Sequence, residues 1–289
     1  MNRQIAWLIP LVGLLGCEAE PVTPGDAAVL EGWNRISVGE AATLTDAQFV
    51  DTRSETNFEA GHIPGALQLD AATLRETVDG IGGQALPRSE ADTLLARSGL
   101  EADLPIVVYG PANDTGTARV LWSLAYYGAS DALRLLDGGL ERWTDEGKDI
   151  EATAATTFMG PWNGGATRSE LRVDQQWVLD HLDDSDVALF DVRSATEYEA
   201  GHIPGAIHAE WTQNLDTDGL FRSTEEVLAL HDNPSAPTIV VYCQSGARAS
   251  VSWSLLQFAD LGDVRLYDGS WNEWGTDPDT PKVTGPNPR

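Results

Sequence analysis

Two short apolar runs punctuate the chain, Ile106-Val107-Val108-Tyr109 and Thr238-Ile239-Val240-Val241-Tyr242. Neither alternates with polar residues, which is the pattern of strands buried on both faces of a parallel sheet. Each is followed by apolar residues at helical spacing: Ala118, Val120, Leu121, Leu124 and Tyr127 after the first, Ala249, Val251, Trp253, Leu255, Leu256 and Phe258 after the second. Phe49-Val50-Asp51-Thr52-Arg53 predicts a further strand running into a turn, and Leu135-Leu136 a short one. Ser89 with Asp92 predicts a capping box opening a helix whose apolar face is Leu94 and Leu95. Strands alternating with helices predict an α/β fold built on mainly parallel sheets.

The pattern occurs twice. Gly61-His62-Ile63-Pro64-Gly65-Ala66 returns unchanged as Gly201-His202-Ile203-Pro204-Gly205-Ala206, an offset of 140 residues. Phe190-Asp191-Val192-Arg193 corresponds to Val50-Asp51-Thr52-Arg53, and Val240-Val241-Tyr242 to Val107-Val108-Tyr109. Asp268-Gly269-Ser270-Trp271-Asn272-Glu273-Trp274 corresponds to the segment from Asp137 to Trp143. Four blocks in the same order make an internal duplication. The first copy spans residues 31–150 and the second 173–289. Residues 151–172, with Thr153, Thr156, Thr157, Pro161, Gly164 and Gly165, lack periodicity and read as a linker.

The N-terminus obeys another pattern. Arg3 precedes an apolar run of 11 residues from Ile5 to Leu15, too short to span a bilayer and suited to an export signal. Leu14-Leu15-Gly16-Cys17 resembles the bacterial lipobox, in which signal cleavage leaves the cysteine as the lipidated first residue. Residues 1–17 are therefore expected to be a lipoprotein signal with Cys17 acylated, and residues 18–30 a polar tether. The expected location is the cell envelope of a bacterium, with the membrane reached only through the lipid.

A length of 289 residues and an apolar content of 42% suit two domains with ordinary cores. The net charge of −27 excludes nucleic acid as a partner, since its binding needs basic surface. Any anionic substrate must then be drawn by local positive groups, distant acids being screened over about 8 Å at physiological salt. With five histidines and no ligand spacing, no metal or organic cofactor is implied. The two cysteines, Cys17 and Cys243, leave no room for a disulfide framework.

Cys243 ends the second apolar strand, and Gln244, Ser245, Gly246, Ala247 and Arg248 lead from it into the following helix. Such a cysteine is either a buried structural residue or a nucleophile. The loop favours the second reading. Successive N–H groups can form an anion nest, the helix N-terminus adds about half a positive charge, and Arg248 adds a full one. All three favour a thiolate.

This loop, after a Val-Val-Tyr strand and inside a duplication, resembles the active-site loop of the rhodanese (sulfurtransferase) family. The resemblance implies two tandem rhodanese-like domains, each a mainly parallel sheet flanked by helices, with the catalytic cysteine in the second only. Gly110 stands opposite Cys243, and the longer loop Gly110-Pro111-Ala112-Asn113-Asp114-Thr115-Gly116-Thr117 has no nucleophile. The first domain is expected to be catalytically silent and to wall the cleft. The resemblance makes Cys243 catalytic and gives substrate contacts to Gln244, Ser245, Gly246, Ala247, Arg248 and Arg193. A second arginine that the family carries shortly after Arg193 is replaced by Thr196-Glu197-Tyr198. His62 and His202, and the pairs Asp51/Arg53 and Asp191/Arg193, occur in both copies and are expected to be structural, Arg193 keeping its substrate role beside that. Trp271 and Trp274 are expected in the core or cleft wall.

The implied chemistry moves a sulfane sulfur from thiosulfate to a thiophilic acceptor through a Cys243 persulfide. The alternatives are 3-mercaptopyruvate as donor, and a lipid-anchored sulfur carrier or partner-binding protein without enzymatic turnover. A phosphatase or arsenate reductase would need Cys-x5-Arg, whereas Cys243 and Arg248 make Cys-x4-Arg. The oligomeric state is not fixed by these features.

Overall fold

The computed structural model describes residues 33–156, 160–231 and 236–289. The expected signal and tether, Cys17 included, lie outside the described residues. Two five-stranded sheets are present among the described residues, and every strand pair within them is parallel. The first half contains β1 (Asn34–Ile36), β2 (Gln48–Asp51), β3 (Leu67–Gln68), an antiparallel hairpin of β4 (Arg75–Val78) and β5 (Ile81–Ala85), β6 (Ile106–Tyr109) and β7 (Leu133–Leu136). The second half contains β8 (Arg172–Val173), β9 (Val187–Asp191), β10 (Ile207–His208), β11 (Thr238–Tyr242) and β12 (Asp263–Tyr267). The sheet orders, β1-β7-β6-β2-β3 and β8-β12-β11-β9-β10, are the same path taken twice.

The helices of the first half are α1 (Val38–Ala41), α2 (Glu55–Ala60), α3 (Arg88–Ser98), α4 (Thr115–Tyr126) and α5 (Gly139–Asp145). Those of the second are α6 (Gln175–Asp180), α7 (Ala195–Ala200), α8 (Thr224–Leu230), α9 (Ala247–Phe258) and α10 (Ser270–Trp274). The two apolar runs are β6 and β11, the central strands, and all four residues of β6 are buried. Alternation then sorts their side chains between two faces. Val108 and Val241 face a core shared by both halves, where α4 packs on α9 and Trp122, Leu121, Trp253 and Leu256 are sealed from solvent. Val107 and Val240 face separate outer cores, closed by Trp143 in one half and Trp274 in the other.

The capping box expected at Ser89 and Asp92 does not form. Pro87, with φ −55°, caps α3 two residues earlier, so Ser89 falls inside the first turn. Proline suits a helix start because its missing N–H has no partner there. Asp92 instead accepts from Arg88 Nε at 2.6 Å.

The halves also exchange contacts at their edges. Hairpin β4–β5 leaves the first half and lies on the second, where the Ala85 N–H donates to Asp268 Oδ2 at 2.8 Å. In the second half, Leu215 and Phe221 form a single antiparallel bridge, a stunted version of the same hairpin. It reaches back, and the Phe221 N–H donates to Asp137 Oδ1 at 3.3 Å. Asp137 and Asp268 follow β7 and β12 at equivalent places. Asp268 is fully buried and holds Arg119 Nη1 at 2.6 Å and Arg172 Nε at 3.3 Å.

Candidate active site

β11 delivers Cys243 at the carboxyl edge of its sheet, where ligands of open α/β sheets bind. The residue is 1% exposed. Its N–H donates to Ser270 Oγ at 3.2 Å, and its carbonyl accepts from the Trp271 N–H at 3.0 Å. The Ser270 hydroxyl donates in turn to the Tyr267 carbonyl at 2.8 Å. Both backbone groups of the cysteine are thus pinned to the first turn of α10. Ser270 adopts φ 53°, in the left-handed region that costs a non-glycine residue about 1–3 kcal/mol. Its counterpart Gly139 has a similar φ of 60° without that cost. The half that holds the cysteine keeps a hydroxyl where the half without one keeps a glycine. Sequence reasoning assigned Ser270 no role, although this substitution within a repeated block was its visible signal.

Past the cysteine the loop is tied down on one side only. Gln244 is held by Asn272, whose N–H donates to its carbonyl at 2.9 Å and whose Oδ1 accepts from its Nε2 at 2.7 Å. The N–H groups of Gln244, Ser245, Gly246, Ala247 and Arg248 donate to none of the described residues. Five consecutive open donors beside a free cysteine can serve an anion. Gly246 turns the loop at φ 83°, and a Cβ there would lie 2.5 Å from Arg119 Nη1. The loop is therefore seated directly on an arginine of the other half.

Arg248 grips Glu197 with both terminal nitrogens, each at 2.8 Å. That hydrogen bonding raises its affinity for its proton, and the neighbouring Cys243 sulfur adds to the effect. Glu197, within Thr196-Glu197-Tyr198, is thus the residue that orients Arg248. Hydrogen bonds from Arg248, and then from Ser194 in the α7 capping box, hold the Glu197 carboxyl down to about 2 from its ordinary 4.5. A lowered folded-state value stabilises the fold above the unfolded value and ceases to do so as pH falls through the folded one. The stability of the native chain is expected to fall between about pH 5 and 2 in part through this carboxyl. Glu197→Gln should lessen the shift of the urea midpoint over that range, and an identical shift in the two proteins would contradict the assignment.

Arg193, of which a substrate contact is expected, has Nε and Nη2 engaged within its own half. It is buried, pairs with Asp191 through Nε at 2.9 Å and Nη2 at 2.5 Å, and donates to the Gly201 carbonyl at 2.6 Å. Arg53 makes the same contacts with Asp51 and Gly61 in the half without a cysteine. His62 and His202 are equally matched. Their Nδ1 atoms face the carbonyls of Phe58 and Tyr198 at 2.7 and 2.8 Å, with each ring stacked on the aromatic side chain that precedes it by four residues.

The equivalent loop of the first half lacks a cysteine and is also closed. A Cβ on Gly110 would lie 2.2 Å from Thr117 Oγ1 and 2.4 Å from Thr52 Oγ1, two hydroxyls bonded to each other at 2.8 Å. No side chain fits where the second half places its cysteine.

Hairpin β4–β5 covers the live loop. A Cβ on Gly83 would lie 2.7 Å from the Ser245 carbonyl oxygen, so the two backbones are in contact. Sequence reasoning passed over this hairpin and the arginine it carries, Arg75. The signal was Asp79-Gly80 between Val78 and Ile81, both with positive φ (50° and 86°), as a two-residue type I′ turn requires.

Comparison with known proteins agrees with this geometry. The model of the rhodanese-like domain matches residues 37–146 and again 174–277. A Thermus thermophilus protein named sulfur carrier protein TtuD is 34% identical over 243 residues, covering 75% of this chain and 84% of the relative. A Corynebacterium glutamicum thiosulfate sulfurtransferase is 35% identical over 260 residues, covering 80% and 82%. A probable 3-mercaptopyruvate sulfurtransferase of Pseudomonas aeruginosa is 34% identical over 250 residues, covering 79% and 86%. Among solved structures, an anaerobic ergothioneine biosynthesis enzyme from Chlorobium limicola superposes with a TM-score of 0.76 at 26% identity. That match covers 84% of this chain but only 65% of the larger structure. With both of its halves matched and its cysteine loop at the head of α9, the chain belongs to the rhodanese-like domain family.

Proposed function

We propose that the chain is a sulfurtransferase that takes sulfane sulfur from thiosulfate and passes it to a thiophilic acceptor through Cys243. The observation that carries this reading is a pinned cysteine followed by five unpartnered N–H groups and Arg248. The Cys243 thiolate attacks the outer sulfur of thiosulfate. A new S–S bond forms, the bond to the sulfonate sulfur breaks, and sulfite leaves with the electron pair. The loop donors stabilise the terminal persulfide anion as an oxyanion hole stabilises developing charge. A nucleophile such as cyanide or a thiolate then attacks the terminal sulfur and the Cys243 thiolate is released. Two covalent half-reactions imply ping-pong kinetics. Gln244 and Ala247 contribute through the loop backbone.

The test is a mass spectrum of the protein after exposure to thiosulfate, with sulfite release followed in parallel. One sulfur atom gained on Cys243 and lost again to cyanide is the expected result. Loading by 3-mercaptopyruvate alone would keep the class and change the donor. The relative named a sulfur carrier favours a second reading, delivery of the persulfide to a protein partner. Loading without turnover onto small acceptors would select it. Failure of both donors to load Cys243 would sink the sulfur-transfer proposal.

We further propose that Cys17 is lipidated and tethers the protein to the cell envelope, on the strength of Leu14-Leu15-Gly16-Cys17 after a short apolar run. Cys17→Ala should move the protein from the detergent-extracted membrane fraction to the soluble one and remove incorporated acyl label. Acyl label that survives in the variant would refute the anchor.

A further inference from the structure

Arg75 is half-buried at the start of β4 and forms no ion pair or hydrogen bond with any described residue; its Nε is wholly buried without an acceptor. Burial, then the neighbouring charge of Arg119, lowers its affinity for its proton. An unpaired, partly desolvated guanidinium is unfavourable. The surrounding cations are otherwise occupied: Arg119 and Arg172 by Asp268, Arg248 by Glu197, Arg193 by Asp191. Of the acids near Arg75, Asp268 is taken by those two arginines and the Ala85 N–H, and Asp114 by the N–H and hydroxyl of Thr117.

Its position ties it to the nucleophile. Arg75 pairs in register with Ala85, whose N–H is on Asp268. Gly83 of the same hairpin touches Ser245, two residues beyond Cys243. The duplication supplies a control. The residue 140 positions after Arg75, the offset that relates Gly61 to Gly201, is Leu215. Leu215 pairs with Phe221 as Arg75 pairs with Ala85, and Phe221 sits on Asp137 as Ala85 sits on Asp268. The hairpin next to the loop with a cysteine therefore carries an arginine, and the hairpin on the silent side carries a leucine.

We propose that Arg75, brought across from the first half, binds the anionic end of the sulfur donor beside Cys243. This rests on the sulfur-transfer reading for the identity of the anion, and on the structure alone for the preference for an anion. The first half is then a contributor to the site and supplies a cation without an acid partner, whereas Arg248 and Arg193 of the second half are paired.

Two readouts test it on the full chain. Arg75→Gln and Arg75→Met both remove the charge and keep the stem, so either folded variant answers. First, kcat/KM for sulfur loading from thiosulfate should fall roughly 10- to 100-fold, the range of a lost hydrogen-bonded charge contact, while Arg75→Lys keeps most of it. Second, Cys243 is alkylated with iodoacetate, an anion, and with neutral iodoacetamide of similar size. The ratio of the two rates cancels the thiolate fraction. It should drop about tenfold when the charge is removed, an effect that a merely structural role would not produce. An unchanged ratio in a folded neutral variant overturns the proposal. If thiosulfate fails to load even the native protein, the sulfur-transfer reading fails, and the alkylation ratio still decides the role of Arg75.

Discussion

Cys243→Ser is expected to abolish sulfur loading while leaving the fold in place. Serine is nearly isosteric, and the exchange occurs at a residue that is 1% exposed, with both backbone partners retained. A buried hydroxyl in place of a thiol costs about 1–3 kcal/mol if it finds no acceptor, which a domain of ordinary stability survives. The chemistry does not survive. An alkoxide is inaccessible near neutral pH, and the open loop donors cannot substitute for the missing nucleophile. Removing a nucleophile from a working set of groups typically costs about 10³- to 10⁶-fold in turnover. The measurement is sulfite release and mass gain, beside a circular dichroism spectrum that verifies folding. Sulfur transfer within tenfold of the native rate in a folded Cys243→Ser protein would place the reaction elsewhere.

Asp268→Asn should be the most damaging single change to stability outside the apolar core. The carboxylate is fully buried, as is Arg119, and it also holds Arg172 and the Ala85 N–H. Neutralising it leaves the Arg119 charge in a desolvated place beside the Trp122 ring, 4.5 Å away, without its carboxylate counter-charge. Breaking a buried pair in this way costs about 3–5 kcal/mol. For a chain of this size that is a fall in Tm of roughly 10 °C. Asp137→Asn is the internal comparison. Its pair with Arg35 is longer, 3.7 Å, and the two side chains are 20% and 28% exposed, so about 1 kcal/mol or less is at stake. Equal effects in the two variants would mean that burial of the Asp268 cluster does not set its energetic weight. A loss of activity should accompany the Asp268 change, because that cluster lies beneath Gly246 and the hairpin.

What could be read in the sequence was whatever is contiguous. β6 and β11 are apolar on both faces, so their residues form unbroken runs. The cysteine loop is a single stretch, and the duplication repeats whole blocks. What escaped notice depends on contacts between segments far apart. Arg248 is oriented by Glu197, 51 residues earlier, and no local pattern links them. Hairpin β4–β5 packs against the other half, so Thr77, Gly82, Gly83 and Gln84 show no strand alternation. The bracing contacts of Arg193 were legible, since its copy Arg53 repeats in a half without a cysteine and makes the same pair. The box at Ser89 failed for a local reason: Pro87 is a stronger helix start than the serine two residues on.

The exchange of hairpins has a consequence for how the molecule can be divided. Two halves with the same topology, packed α4 on α9 and each reaching onto the other, have the form of an isologous twofold dimer whose subunits are joined in one chain. A second half produced alone would expose α9 and its share of the common core, and self-association is the available way to cover them. Such a homodimer would contain two cysteines. Each would sit beside a partner's hairpin that bears Leu215 where the native chain has Arg75, so doubling the cysteine would keep Arg248 and forfeit Arg75.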